Sequence, residues 1–177
     1  MMKMKQTHND IEIDFSTEVS SILLEMGKWR LHFQEDDVKL ALAEAINSAI
    51  IQTEIPLNGY LITNWQVYLI TTGDAYELNR FVNHIVRNLM RQYIRRKQQE
   101  SIAAIEMKQF NVRKYDRVFK FYPFYNEFLR LLLLGREPHI SYEDPGFEYL
   151  KEQLSNYKYC SVPAYKGERG PVFVRRI

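Results

Sequence analysis

Hydrophobic and polar positions are most clearly ordered between Ile55 and Arg96 (EIPLNGYLITNWQVYLITTGDAYELNRFVNHIVRNLMRQYIRR, from Glu54). Two short runs rich in β-branched and aromatic residues, Tyr60 to Thr63 and Gln66 to Thr71, flank a Thr63-Asn64 turn. That pattern predicts a pair of antiparallel strands. Asp74 followed by Glu77 has the spacing of a capping box, with Asp in place of Ser or Thr. The period then changes to that of a helix. Leu78, Phe81, Val82, Ile85, Leu89 and Tyr93 share one side, while His84, Arg87, Arg91 and Arg95 recur by three and four on the other. Arg96 and Lys97 extend the basic end.

The remaining pattern fills in around this stretch. Residues 1 to 10 are polar and read as a frayed terminus. Ile11 to Phe15 and Lys28 to Phe33 both alternate, which predicts strands, whereas Val19 to Glu25 shows no clear period. Val38, Leu40, Ala41, Leu42, Ala45, Ile46, Ala49 and Ile50 recur with helical spacing, so a helix is predicted from about Val38 to Gln52, with Asp36 or Asp37 as its cap. Pro56 stops it and Asn58-Gly59 opens a new element. Residues 98 to 110 extend the basic helix, Lys108 to Arg117 form a polar loop, and Val118 to Phe121 a short strand. Phe124 to Leu134 is an apolar helix ended by Gly135; Asp144-Pro145 opens another that runs to Leu154. The tail, YKYCSVPAYKGERGPVFVRRI, is aromatic, basic and rich in turn residues. Strands and helices in this mixture predict an α+β fold: a central antiparallel sheet of about four or five strands with helices mainly on one face.

Composition narrows this picture modestly. A chain of 177 residues predicts one domain, and 46% hydrophobic residues suffice for a core. No apolar run approaches the ~18 to 20 residues of a membrane span, so no membrane partner is expected. The first residues (MMKMKQTHNDIEID) lack the apolar stretch of a signal peptide. The single cysteine, Cys160, excludes an internal disulfide framework and fits a reducing, cytoplasmic compartment. The net charge of +2 says little; the clustering of the cations says more.

Three constellations carry candidate chemistry. The basic helix face suits phosphate groups, with tyrosines nearby to stack on bases; the alternative is an ordinary solvated face. Gln66 and Tyr68 are two apart on a strand and so share a side. Two histidines at that spacing make a metal site, but a phenol with a pKa near ~10 and one neutral amide oxygen are poor ligands. Their alternative is packing and hydrogen bonding. Tyr149 and Gln153 lie one helical turn apart. A tyrosine attacks a phosphodiester when a metal or base activates it, though helix tyrosines more commonly pack. Other chemistries are missing from the inventory. There is no Gly-rich phosphate loop, no Cys-x-x-Cys and no Ser-centred elbow, and His8, His32, His84 and His139 have no ligand spacing.

In their order, these pieces resemble the single-tyrosine HUH transposases, in particular the REP-associated and insertion-sequence group. That family shows a helix, a strand ending in a Met-Pro-Asn-like turn, and then His-hydrophobic-His opening the next strand. Here Val38 to Gln52, GYLIT and QVYLI stand at those places, with Gln66 and Tyr68 at the two histidine positions. A register shifted by one aligns Asn64 with the family's Asn and puts Trp65 at the first histidine; neither register restores a His pair. The family's later Tyr-Ile-x-x-Asn/Gln motif is similar to YLKEQ, Tyr149 to Gln153. Its closing segment is similar to YKYCSVPAYKG, with Tyr159, Ser161, Tyr165 and Gly167 matching. The likeness runs from about Phe33 to Gly167, and each motif alone is weak.

The resemblance implies a ferredoxin-like sheet, a homodimer and a single-stranded or hairpin DNA partner. In the family the histidine pair holds Mg²⁺ or Mn²⁺, a Gln or Asn of the tyrosine helix completes the site, and the tyrosine forms a 5′-phosphotyrosine link. With both imidazoles replaced, the metal's contribution of several kcal/mol is expected to be lost. The expectation is therefore a degenerate transposase-like DNA-binding protein, without cofactor, using Arg87, Arg91, Arg95 and Arg96 on phosphates. The alternatives are residual cleavage through Tyr149, with Mg²⁺ or Mn²⁺ held weakly by Gln66 and Gln153, and a domesticated protein-interaction module.

Overall fold

A computed structural model describes residues 19–99, 118–139, 142 and 144–177. Four strands form one antiparallel sheet: β1 (Val19–Met26), β2 (Leu57–Ile62), β3 (Gln66–Thr72) and β4 (Phe119–Pro123), in the order β2-β3-β1-β4. Helix α1 (Glu35–Thr53) joins β1 to β2, and α2 (Ala75–Gln99) follows β3. This βαββαβ order with that strand arrangement is the ferredoxin-like α+β fold. Three shorter helices complete the chain: α3 (Glu127–Leu133), α4 (Pro145–Asn156) and α5 (Val162–Tyr165).

The two long helices lie together on one face of the sheet. Their inner sides, including Leu42, Ile46, Phe81 and Ile85, pack on Leu24, Tyr60, Ile62, Val67 and Leu69, all essentially excluded from solvent. The opposite face is covered over only part of its width. There Leu61 and Ile70 pack against Leu129, Leu132 and Leu133 of α3 and Leu154 of α4. Gly59 permits this close approach, since a Cβ on it would sit 2.9 Å from the Leu133 carbonyl oxygen. The new element expected at Asn58-Gly59 is β2, which begins one residue earlier at Leu57 and has a register irregularity between Leu57 and Gly59.

Local signals explain the boundaries. The Asp74–Glu77 box forms reciprocally, Glu77 N–H donating to Asp74 Oδ1 at 2.8 Å and Asp74 N–H to Glu77 Oε2 at 3.3 Å. The Asp74–Glu77 pair thus satisfies two backbone N–H groups at the helix start. Asp144 caps α4 through Gly146 N–H at 2.9 Å, and Asn126 caps α3 through Leu129 N–H at 3.0 Å. Helix α1 ends where Glu54 turns left-handed, with φ of 59°.

Two strand expectations need correction, and a third, Ile11 to Phe15, lies outside the described residues. Lys28–His32 is a short 3₁₀ turn, not a strand. Its alternation misleads because Trp29 is 8% exposed and Leu31 is 66% exposed. The first strand is Val19–Met26, where the sequence shows no period. One residue obscures the alternation, since Ser21 and Glu25 keep to the side opposite Ile22, Leu24 and Met26 and Leu23 interrupts them. Leu24 and Met26 face the helices, while Leu23 is half-buried on the other side, so consecutive apolar residues hide the pleat.

The β2 edge does not end the hydrogen-bonded network. Ile62 N–H donates to Tyr159 O at 2.9 Å, Ser161 N–H to Tyr60 O at 2.9 Å, and Arg175 N–H to Leu57 O at 2.8 Å. Ser161 Oγ accepts from Tyr60 N–H at 3.0 Å and donates to Leu133 O at 2.6 Å. The aromatic tail thereby shields an edge that would otherwise offer itself to other chains. Cys160, at the centre of this seam, is buried and its thiol is pushed up to about 11, so it is no nucleophile.

Candidate nucleic-acid interface

Helix α2 separates apolar and polar residues sharply. With Leu78, Phe81, Val82, Ile85, Val86 and Leu89 buried, the opposite side presents Arg80, His84, Arg87, Arg91 and Arg95. At 100° and 1.5 Å per residue these five positions fall in one narrow stripe about 22 Å long. Arg80 donates to Thr53 O at 2.6 Å, and His84 Nδ1 lies 3.0 Å from Gln52 Oε1, which anchor the stripe to the end of α1. Arg87, Arg91 and Arg95 are exposed and form no ion pair among the described residues. Arg96 belongs to the same helix, but its side chain lies outside the described residues. The charges are felt locally: burial, then Arg87, Arg80 and Arg91, hold the His84 imidazole below its ordinary value.

Gln66 and Tyr68 lie on the other face of the sheet. Tyr68 OH donates to Gln66 Oε1 at 2.9 Å, and the Tyr68 ring packs edge-on against Phe124 with centroids 5.1 Å apart. Burial raises the Tyr68 phenol above its ordinary value, so it keeps its proton. This donor set does not fit a divalent cation: one oxygen is a protonated phenol, and the other is a neutral amide already accepting that proton. Among the described residues, no three His, Cys, Asp or Glu side chains converge as ligands.

Cross-strand register surrounds this pair with further residues. Leu23 of β1 lies opposite both Tyr68 and Tyr122, and Glu25 opposite both Gln66 and Lys120. Opposed residues share a face, and the Lys120 Nζ–Glu25 Oε1 contact of 3.3 Å agrees. This face of the sheet thus carries two rows, Tyr68–Leu23–Tyr122 and Gln66–Glu25–Lys120, of which Tyr68 packs against the second apolar cluster.

Tyr149 and Gln153 are not brought to these rows. Phe147 and Leu154 of α4 turn toward the second apolar cluster, and Tyr149, two residues from Phe147, points to nearly the opposite side. Tyr149 is 64% exposed, and no hydrogen bond or ring contact joins it to Gln66 or Tyr68. Nor do the arginine stripe and the sheet rows meet, because the sheet and the helix layer separate them. Sequence reasoning overlooked Arg80, four residues before His84, although the spacing was visible. It also overlooked Glu25, Lys120 and Tyr122, which only the strand order places beside Gln66 and Tyr68.

No protein-family model matches this chain, and no curated protein matches it. Among solved structures it is similar to that of a candidate transposase from Deinococcus radiodurans R1, with 13% identity and a TM-score of 0.42, covering 72% of this chain and 90% of that one. Among the described residues, no helix is long and apolar enough to cross a membrane.

Proposed function

We propose that this chain is a degenerate transposase-like protein that binds DNA, single-stranded or hairpin, through the arginine stripe of α2 and performs no strand transfer. The observation that carries this reading is a line of exposed guanidinium groups with no acidic partner among the described residues. Unpaired like charges on one helix face repel each other by a few tenths of a kcal/mol per pair, a cost that phosphates would remove. The Tyr68–Gln66 hydrogen bond at the family's metal positions supports the loss of chemistry. Tyr149 is exposed and forms no hydrogen bond with Gln66 or Tyr68, while Phe147 and Leu154 hold α4 on the second apolar cluster, so cleavage through Tyr149 is the less favoured reading. A homodimer, which the family resemblance implies, belongs to this reading and is checked by sedimentation.

The test is binding of a labelled hairpin or single strand across salt. Contacts from Arg87, Arg91 and Arg95 give a slope of roughly −2 to −3 in log K against log salt. Affinity should therefore fall roughly 20- to 40-fold between about 0.05 and 0.2 M. A salt-independent affinity, or no binding at low salt, refutes the proposal. A covalent DNA adduct formed with Mn²⁺ and abolished by Tyr149→Phe would restore the catalytic alternative.

A further inference from the structure

The last stretch of the chain lies as a strap along the β2 edge. Asn47 of α1 holds it at two points, donating to Pro171 O at 2.8 Å and accepting from Phe173 N–H at 2.8 Å. Asn58 Nδ2 donates to Arg175 O at 2.9 Å, beside the Arg175–Leu57 bond. Val172 and Val174 pack on the helix-side core, so Phe173 and Arg175 take the outer side. Phe173 is 62% exposed, and Arg175 and Arg176 are exposed beside it. Tyr165 brings further cations to the same place. Its hydroxyl donates to Asn58 O at 2.8 Å, and its ring lies against Gly135. Arg136 follows Gly135 and Lys166 follows Tyr165, both exposed. Burial raises the Tyr165 phenol above its ordinary value, and Arg136 and Arg176 are close enough to oppose that rise. Four cations from three separate stretches of chain thus gather around Tyr165 and Asn58. None of them forms an ion pair among the described residues; Lys166 donates instead to Ser155 Oγ at 2.9 Å. Of the acids in these stretches, Glu137 is taken up by Lys151, which leaves Glu168 on the strap itself. The backbone bonds of the strap hold the like charges together against their repulsion. Guanidinium groups pair with phosphate in a planar fork, and an exposed ring takes the face of a base.

We propose that this strap is a second nucleic-acid contact, in which Arg136, Lys166, Arg175 and Arg176 hold phosphates of an unpaired strand and Phe173 stacks on one of its bases. This rests on the reading of the chain as a DNA-binding protein and adds a surface at the β2 edge, distinct from the arginine stripe of α2. Phe173 and Arg175 are two residues apart on the same side, about 6.6 Å along the strap. A nucleotide with its base on the ring therefore has its phosphate within reach of the Arg175 guanidinium. The bases of a duplex already stack on one another and offer the ring no free face. A strand that touches both surfaces feels the charges of both, so each strap contact steepens the salt slope by about 0.7 beyond what the stripe contributes.

The experiment follows the anisotropy of labelled oligo(dT) with the full chain across salt. Arg175→Ala with Arg176→Ala removes two charges and leaves the backbone bonds of the strap in place. It should flatten the slope by about 1.4 and, extrapolated from about 1 M salt, weaken binding roughly 25-fold at about 0.1 M. Arg175→Lys with Arg176→Lys keeps the charge and should keep the parental slope. Phe173→Ala should weaken oligo(dT) about 5- to 150-fold, with the slope and the affinity for a duplex of equal length unchanged. An unchanged slope in the alanine pair, or a lysine pair that flattens it equally, overturns the strap site; Arg87→Ala with Arg91→Ala still flattening the slope then leaves the stripe standing. Polyglutamate bound as tightly as oligo(dT) at the same salt overturns the choice of nucleic acid as partner. Wild-type protein that binds no nucleic acid overturns both surfaces.

Discussion

Replacing Arg87 and Arg91 together by alanine separates a binding role from a structural one, because the two roles predict opposite signs. Both side chains are exposed, four residues apart, and free of ion pairs among the described residues. Two like charges at that spacing destabilise a helix by about 0.2–0.5 kcal/mol, and alanine is the better helix former. The double variant should therefore be as stable as the parent or slightly more so, within the roughly 0.5 kcal/mol typical of surface changes. DNA binding should move the other way. Each lost phosphate contact removes about 0.7 from the salt slope on a single strand and about 0.9 on a duplex. Two contacts, extrapolated from about 1 M salt down to about 0.1 M, amount to roughly 25-fold on single strands and 60-fold on duplex. Thermal melts give the first quantity and anisotropy titrations across salt give the second. An unchanged salt slope would show that the stripe does not touch phosphate. A melting temperature lowered by several degrees would show that these arginines are instead structural.

Three further outcomes follow from the same geometry. His84 sits low because burial and neighbouring arginines disfavour its charged form. The unfolded chain therefore binds the proton more readily, and stability should decline as pH falls below about 6.5. A bound phosphate reverses this, so DNA affinity should rise over the same window; both trends should vanish in His84→Gln, and their persistence would assign them elsewhere. Gly59→Ala pushes a Cβ against the Leu133 carbonyl and should cost about 1–3 kcal/mol, a Tm lower by roughly 2–12 °C in a scanning melt. Ser161→Ala leaves the buried Tyr60 N–H without its acceptor and should cost about 1–3 kcal/mol in urea, whereas a neutral result would mean that water replaces the hydroxyl.

The sequence by itself determined the parts whose physics is local. The capping box at Asp74, the change of period from the Tyr60–Thr71 hairpin to α2, and the stripe of His84, Arg87, Arg91 and Arg95 all depend on neighbours within a few residues. They are present in the structure where the pattern put them. The tertiary structure alone decided β1, where Leu23 breaks the alternation of Ile22, Leu24 and Met26 with polar residues and where pairing with β3 and β4 fixes the strand. It also decided that Asn58-Gly59 serves close packing of α3, and that Tyr149 turns away from Gln66 and Tyr68. Glu25, Lys120 and Tyr122 became partners of that pair only through strand order, across separations of about 40 to 100 residues that no local period records. A helical or pleated repeat says which side a residue takes on its own element. Which elements then face each other is set by the packing of whole apolar surfaces, and the candidate sites lie where that packing leaves the surface open.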